Sequence, residues 1–110
     1  MTAPEGPAVN QPAAPEVIVA ITRYEVCVLP ADDINWRDFA LYVEQTRRGT
    51  WIVNNGAGGY DIHGRWTDGV FTAHEFAALD DALDLARRLA PGVTVNGHTA
   101  TDAYRRTHPA

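Results

Sequence analysis

Between Phe39 and Trp66, short apolar runs are broken by turn signals at Arg48-Gly49, Asn55-Gly56, Gly58-Gly59 and His63-Gly64. Such punctuation reads as a meander of antiparallel strands. Phe39, Leu41 and Val43 alternate with Ala40, Tyr42 and Glu44, the two-residue period of a half-buried strand with its apolar side toward a core. Thr50-Trp51-Ile52-Val53 supplies the next strand. The Gly- and Asn-rich segment Asn54 to Gly59 turns the chain again, because those residues tolerate positive φ. Tyr60-Asp61-Ile62 and Arg65-Trp66-Thr67 form a tight hairpin across His63-Gly64, and Val70 to Phe76 reads as one more strand.

Upstream, Val17-Ile18-Val19-Ala20-Ile21 and Tyr24 to Leu29 are rich in β-branched residues and predict one long strand or two in succession, ended by Pro30. In the loop that follows, Asp32 and Asp33 are placed to cap a short helical turn before Trp36. Downstream, Leu79, Ala82, Leu83, Ala86, Leu89 and Ala90 fall on one side of a helical wheel, with Asp80, Asp81, Asp84, Arg87 and Arg88 on the other. The aspartates come early and the arginines late, as the helix dipole favours, and Asp84 and Arg88 are spaced as an i, i+4 pair. Pro91-Gly92 stops this helix. Val93-Thr94-Val95 predicts a short edge strand, and Thr99 to Arg106 a last helical piece, with Thr99 and Asp102 at capping-box spacing.

These elements predict an α+β fold: a twisted antiparallel meander sheet of about five strands, one main amphipathic helix packed on one face, and a short C-terminal helix. A chain of 110 residues with 45% hydrophobic content accommodates one core. Residues 1–15, with Pro4, Pro7, Pro12 and Pro15, read as a disordered Pro/Ala-rich arm ahead of a single domain over 16–107. The two Pro-x-x-Pro spacings formally match ligands of aromatic-lined grooves, but an inert tail is the favoured reading.

Charge and cysteine usage narrow the function classes. A net charge of −5 and a pI near 5.1 disfavour non-specific nucleic-acid binding, which needs a basic surface. All nine cations are Arg, a pattern that codon composition explains better than bidentate recognition does. Cys27 is the only cysteine, so neither an intrachain disulfide nor a cysteine-based zinc site can form within one chain. No apolar run is long enough to span a bilayer, and the first residues do not read as a signal peptide, so the expectation is a cytoplasmic protein with no membrane partner.

No motif in the chain specifies chemistry. Gly56-Ala57-Gly58-Gly59 is followed by Tyr60 and a second hairpin, whereas a phosphate cradle leads into a helix and carries Lys or Ser/Thr. Asp61, His63 and His74 are legitimate metal ligands but lack metal-motif spacing, and an Asp at a hairpin turn ordinarily accepts hydrogen bonds from the amides after it. There is no serine, and Cys27 lies in an apolar strand where burial suppresses its reactivity. A non-enzymatic protein without a cofactor is the expectation. The acidic helix face at Asp80, Asp81 and Asp84 suits a mimic of nucleic acid, but Arg87 and Arg88 on the same face favour a simple solvated surface.

The order Tyr24-x-Val26, Phe39-x-x-Tyr42-Val43, Gly49-x-Trp51, Asp61-x-x-Gly64-x-Trp66, the helix entry from Phe76 to Ala86, and Val93-Thr94-Val95-Asn96-Gly97 resembles small uncharacterised proteins of actinobacteria and their bacteriophages. The resemblance covers Tyr24 to Ala103. It implies a source and a cellular setting, and it brings no catalytic or ligand residues.

The aromatic residues offer the most credible functional surface. Tyr42, Trp51, Tyr60 and Trp66, beside Arg47, Arg48 and Arg65, have the composition of a protein-binding hot spot, and Tyr42 falls on the sheet face opposite the helix. The expected function is a protein-interaction or regulatory module, with a protein partner or a homodimer engaged through the open face or an exposed edge strand. The alternative is a nucleic-acid module in which bases stack on the rings beside the arginines. A third outcome is that the tryptophans simply complete the core.

Overall fold

The computed structural model describes residues 14–109 and folds the meander into a five-stranded antiparallel sheet in the order β1-β2-β3-β4-β5. Its strands are β1 (Arg23–Val26), β2 (Leu41–Gln45), β3 (Trp51–Asn54), β4 (Gly59–Tyr60) and β5 (Trp66–Thr67). Each strand pairs with its neighbour in sequence. The tight β4–β5 turn depends on Gly64 at φ +80°, which lets its amide bond Asp61 O at 3.0 Å while the Asp61 amide bonds Arg65 O at 2.9 Å. The one-turn helix α1 (Trp36–Phe39) lies in the longer β1–β2 connection.

Cross-strand partners share a face, so the register settles what the sheet presents on each side. Tyr24 opposes Val43, which opposes Val53, and Gln45 opposes Trp51. This side is covered by α2 (Leu79–Leu89), whose buried Ala82, Leu85 and Ala86 pack with Val43, Trp51 and Val53. Burying a side chain the size of Leu85 contributes roughly 1.5–3 kcal/mol, so the stripe anchors a helix too short to persist alone. The helix has no side-chain N-cap; Asp80 and Asp81 in its first turn and Arg87 and Arg88 in its last complement its dipole. The Asp84 carboxylate pairs with Arg87 at 3.4 Å rather than with Arg88.

A second cluster gathers Leu29, Phe39, Ala100 and Ala103, with Cys27, Trp36, Val93 and Val95 against it. Here β6 (Thr94–Val95) and β7 (His98–Thr99) form a separate hairpin that leads into α3 (Ala100–Thr107). At the start of α3 the Thr99 hydroxyl accepts from the Asp102 amide, and the Asp102 carboxylate accepts from the Thr99 amide, both at 3.2 Å.

Three local expectations are corrected. Val17–Ile21 is not a strand: Gln45, the last residue of β2, bonds Thr22 O at 2.8 Å and the chain then turns, leaving earlier residues nothing to pair with. Val70 to Phe76 is not a strand either. A 3-10 turn occupies Val70–Thr72, and only Phe76 reaches the sheet, as an isolated bridge to Trp51. Phe39 ends α1 and joins the second cluster instead of facing α2 beside Leu41 and Val43. The arm expected over residues 1–15 lies outside the described residues except for its last two positions.

Candidate functional site

The face opposite α2 carries Arg23, Glu25, Tyr42, Glu44, Ile52 and Asn54, placed there by the pairings Arg23–Glu44–Ile52 and Glu25–Tyr42–Asn54. Most of its polar groups are already engaged. The Arg23 guanidinium lies 4.0 Å from the centre of the Tyr42 ring, and the Trp36 indole N–H donates to Glu25 Oε1 at 2.7 Å. Buried Asn54 donates to Glu44 Oε1 at 2.8 Å and accepts from the Gly56 amide at 2.8 Å.

Beyond β3 this face is partly roofed. Gly59 and Ala73 are both buried, and a Cβ at Gly59 would collide with the Ala73 methyl, so the absence of a side chain lets the 70–73 turn close onto the sheet. The turn is internally bonded: the Thr72 hydroxyl donates to Gly69 O at 2.9 Å and the Ala73 amide to Val70 O at 3.2 Å. At its apex Phe71 is fully exposed. Between this turn and the β2–β3 turn runs a groove of about 360 Å³, with Ile52, Val70, Phe71 and Ala73 as its apolar lining and Arg47 and Arg48 on its rim.

Glu75 closes one end of the groove. It accepts from Arg48 through both the Nε, at 3.1 Å, and a terminal nitrogen, and from the Thr50 hydroxyl at 2.5 Å. The Arg48 guanidinium, and after it the Thr50 hydroxyl, hold this carboxyl below its ordinary range. Arg48 is therefore tied across the turn, and Arg47 is the cation at the rim for which no ion pair is formed among the described residues.

The seven residues singled out from the sequence do not form one surface. Tyr42 is on the open face, and Arg47 and Arg48 flank the groove. Trp51 is buried in the core on the α2 side, with its ring 5.8 Å from that of Tyr24. Tyr60 and Trp66 oppose each other on that same side, in an edge-on contact at 5.6 Å, with Trp66 also packed over Gly58. Arg65 is exposed in the β4–β5 turn, far along the sheet from the groove in strand order. Sequence reasoning missed the groove residues Ile52, Val70, Phe71, Ala73 and Glu75. Ile52 was legible from its alternation with Trp51 and Val53; Val70, Phe71, Ala73 and Glu75 were hidden by reading their segment as a strand.

Other chemistry-bearing residues are committed to structure. The Asn55 side-chain oxygen Oδ1 accepts from the Ala57 and Gly58 amides at 2.9 and 3.0 Å, so the glycine-rich turn is stapled internally. Asp61 accepts from the Arg65 and His63 amides at 2.9 and 2.8 Å, which holds its carboxyl below the usual range. Burial pushes the Cys27 thiol up, away from the thiolate that a nucleophile requires. Among the described residues no group of three or more His, Cys, Asp or Glu is gathered to hold a metal ion, and no helix is long and apolar enough to cross a membrane.

No family model, curated protein or solved structure matches this chain.

Proposed function

We propose that the chain is a small non-enzymatic protein-interaction module that seats its partner on the sheet face opposite α2, in the groove beside Phe71. The observation that carries this reading is Phe71 itself: a fully exposed aromatic on an internally bonded turn, next to a groove floored by Ile52. A single exposed apolar side chain needs no explanation, but an aromatic anchor joined to an apolar groove with an arginine at its rim has hot-spot composition. The complementary partner presents an apolar side chain for the groove and a carboxylate for Arg47. The resemblance noted above suggests a host protein of an actinobacterium as that partner.

The test is affinity capture from an actinobacterial lysate with wild-type and Phe71→Ala baits. Phe71 contributes nothing to the core, so the variant keeps its circular dichroism and melting temperature. Retention of the captured protein should fall by about tenfold or more, the scale of losing one hot-spot aromatic. Equal retention by both baits sinks the reading. Nucleic-acid binding has less support, because Trp51 is withdrawn from the surface and the open face carries Glu25 and Glu44 beside Arg23. It predicts binding to single strands at low salt that weakens steeply as salt rises.

A further inference from the structure

β1 is an edge strand, and its hydrogen-bond phase is known. The Gln45 amide bonds Thr22 O at 2.8 Å, so Thr22, Tyr24 and Val26 direct their peptide groups toward β2, whereas Arg23 and Glu25 direct theirs outward, where no further strand is formed among the described residues. Directly before this edge lies the most exposed apolar run among the described residues: Val17 at 95%, Ile18 at 83%, Val19 at 93% and Ile21 at 66%. From Val17 to Leu29 the chain has neither Pro nor Gly and is rich in β-branched residues. Natural edges are usually blunted by proline, bulges or inward charges, and this one relies only on Arg23 and Glu25.

Those two charges make the edge complementary to itself. They have opposite sign, sit two residues apart on the same face, and are each steadied by an aromatic neighbour, Arg23 over the Tyr42 ring and Glu25 on the Trp36 indole. We propose that two copies of this chain associate by antiparallel pairing of their β1 edges about a two-fold axis at Tyr24. Arg23 of each copy then lies opposite Glu25 of the other. An axis at Arg23 or at Glu25 would oppose like charges, and an axis at Thr22 would set both charges against aliphatic side chains. Only the axis at Tyr24 forms both ion pairs.

The same register accounts for the exposed arm. It directs Ile18 to Ala20 of one copy toward the bend at Val28 and Leu29 that follows β1 in the other. A cavity of about 470 Å³ lies there, lined by Val28, Leu29, Pro30, Thr101 and Tyr104, with Val28 and Tyr104 44% and 38% exposed. The arm thus covers an apolar seat on the second copy, two strands join into one continuous sheet, and both exposed apolar surfaces leave water together. This association uses a different surface from the groove at Phe71, so Phe71→Ala leaves it intact.

Light scattering coupled to size-exclusion chromatography over a micromolar dilution series tests the proposal. The wild-type chain should show twice the 12.0 kDa chain mass at the concentrated end. Val19→Lys, at a side chain with no role in the monomer, should weaken association by about tenfold or more. Arg23→Glu and Glu25→Arg should each be monomeric when alone, because each sets like charges opposite one another. Mixed in equal amounts, the two variants should form a heterodimer, since the carboxylates of one then face the guanidinium groups of the other. Recovery on mixing also shows that both variants are folded. A wild-type monomer at every concentration, a dimer that survives Val19→Lys or either single charge reversal, or two folded variants that stay apart on mixing would overturn the proposal.

Discussion

The hydrogen that stands in place of a side chain at Gly59 lets the 70–73 turn settle on the sheet, and through that turn it places Phe71. Gly59→Ala would drive a methyl into Ala73, whose Cα is 3.1 Å from the added Cβ and cannot swing aside as the end of a long side chain can. We expect a loss of about 1–3 kcal/mol, the usual cost of overpacking. Partner retention should fall along with stability, because the displaced turn carries the anchor. Phe71→Ala lowers retention alone. A Gly59→Ala chain with wild-type stability and wild-type retention would show that the contact does not position the groove. On the other face, Leu85 is 1% exposed between α2 and the sheet. Leu85→Ala should lower the free energy of unfolding by about 2–5 kcal/mol in urea denaturation. A loss below about 1 kcal/mol would mean that the cluster closes over the vacancy more fully than cores usually do.

At the scale of elements, α3 is short and owes its start to a side-chain cap. Thr99→Ala removes the hydroxyl that satisfies the Asp102 amide and should cost about 0.5–2 kcal/mol, with a measurable drop in helical circular dichroism. An unchanged spectrum and melting curve would show that packing of Ala100 and Ala103 alone holds the helix. This cap was legible from the sequence, as were α2 and the turns from β2 to β5, because capping, helical period and turn chemistry are set by residues a few positions apart; the β6–β7 pair was not, since Val93–Val95 reads as an edge strand and pairs with His98–Thr99 in a sheet of its own. The failures share the opposite cause. Val17–Ile21 has the composition of a strand, but pairing requires a neighbour, and β2 ends at Gln45. Val70 to Phe76 has β-branched and aromatic residues, yet the distant contact between Gly59 and Ala73 decides its path. The side taken by Trp51, Tyr60 and Trp66 depends on register, and a slip of one residue exchanges the two faces. Parity alone therefore sets Tyr42 on the open face and the β2–β3 turn alone sets Arg47 and Arg48 beside the groove, whereas Trp51, Tyr60 and Trp66 lie on the α2 side.

Across the whole molecule, two apolar clusters are supplemented by carboxylates at the joints between elements. Asp61 closes the β4–β5 turn on the Arg65 and His63 amides, Glu75 ties the β2–β3 turn to the segment before α2 through Arg48 and Thr50, and Asp102 caps α3 through Thr99. Those same bonds hold all three carboxyls below their ordinary range. A carboxyl that is more acidic folded than unfolded contributes stability that is complete above the unfolded value, about pH 4, and is lost as pH falls through the folded one. The urea midpoint should therefore be lower at about pH 3 than at about pH 6, and Glu75→Gln should lower the midpoint at the higher pH while narrowing the difference between the two. Equal wild-type midpoints at both values would mean that these bonds contribute nothing in solution. The joints are divided between the clusters: Asp61 and Glu75 flank the sheet that carries Trp51, and Asp102 starts the helix that packs with Phe39 and Trp36. If acid loosens one cooperative unit, near-ultraviolet signals from the tryptophans and the far-ultraviolet helical signal should change at one common pH. Separate transitions would show that the α3 cluster folds and unfolds apart from the sheet.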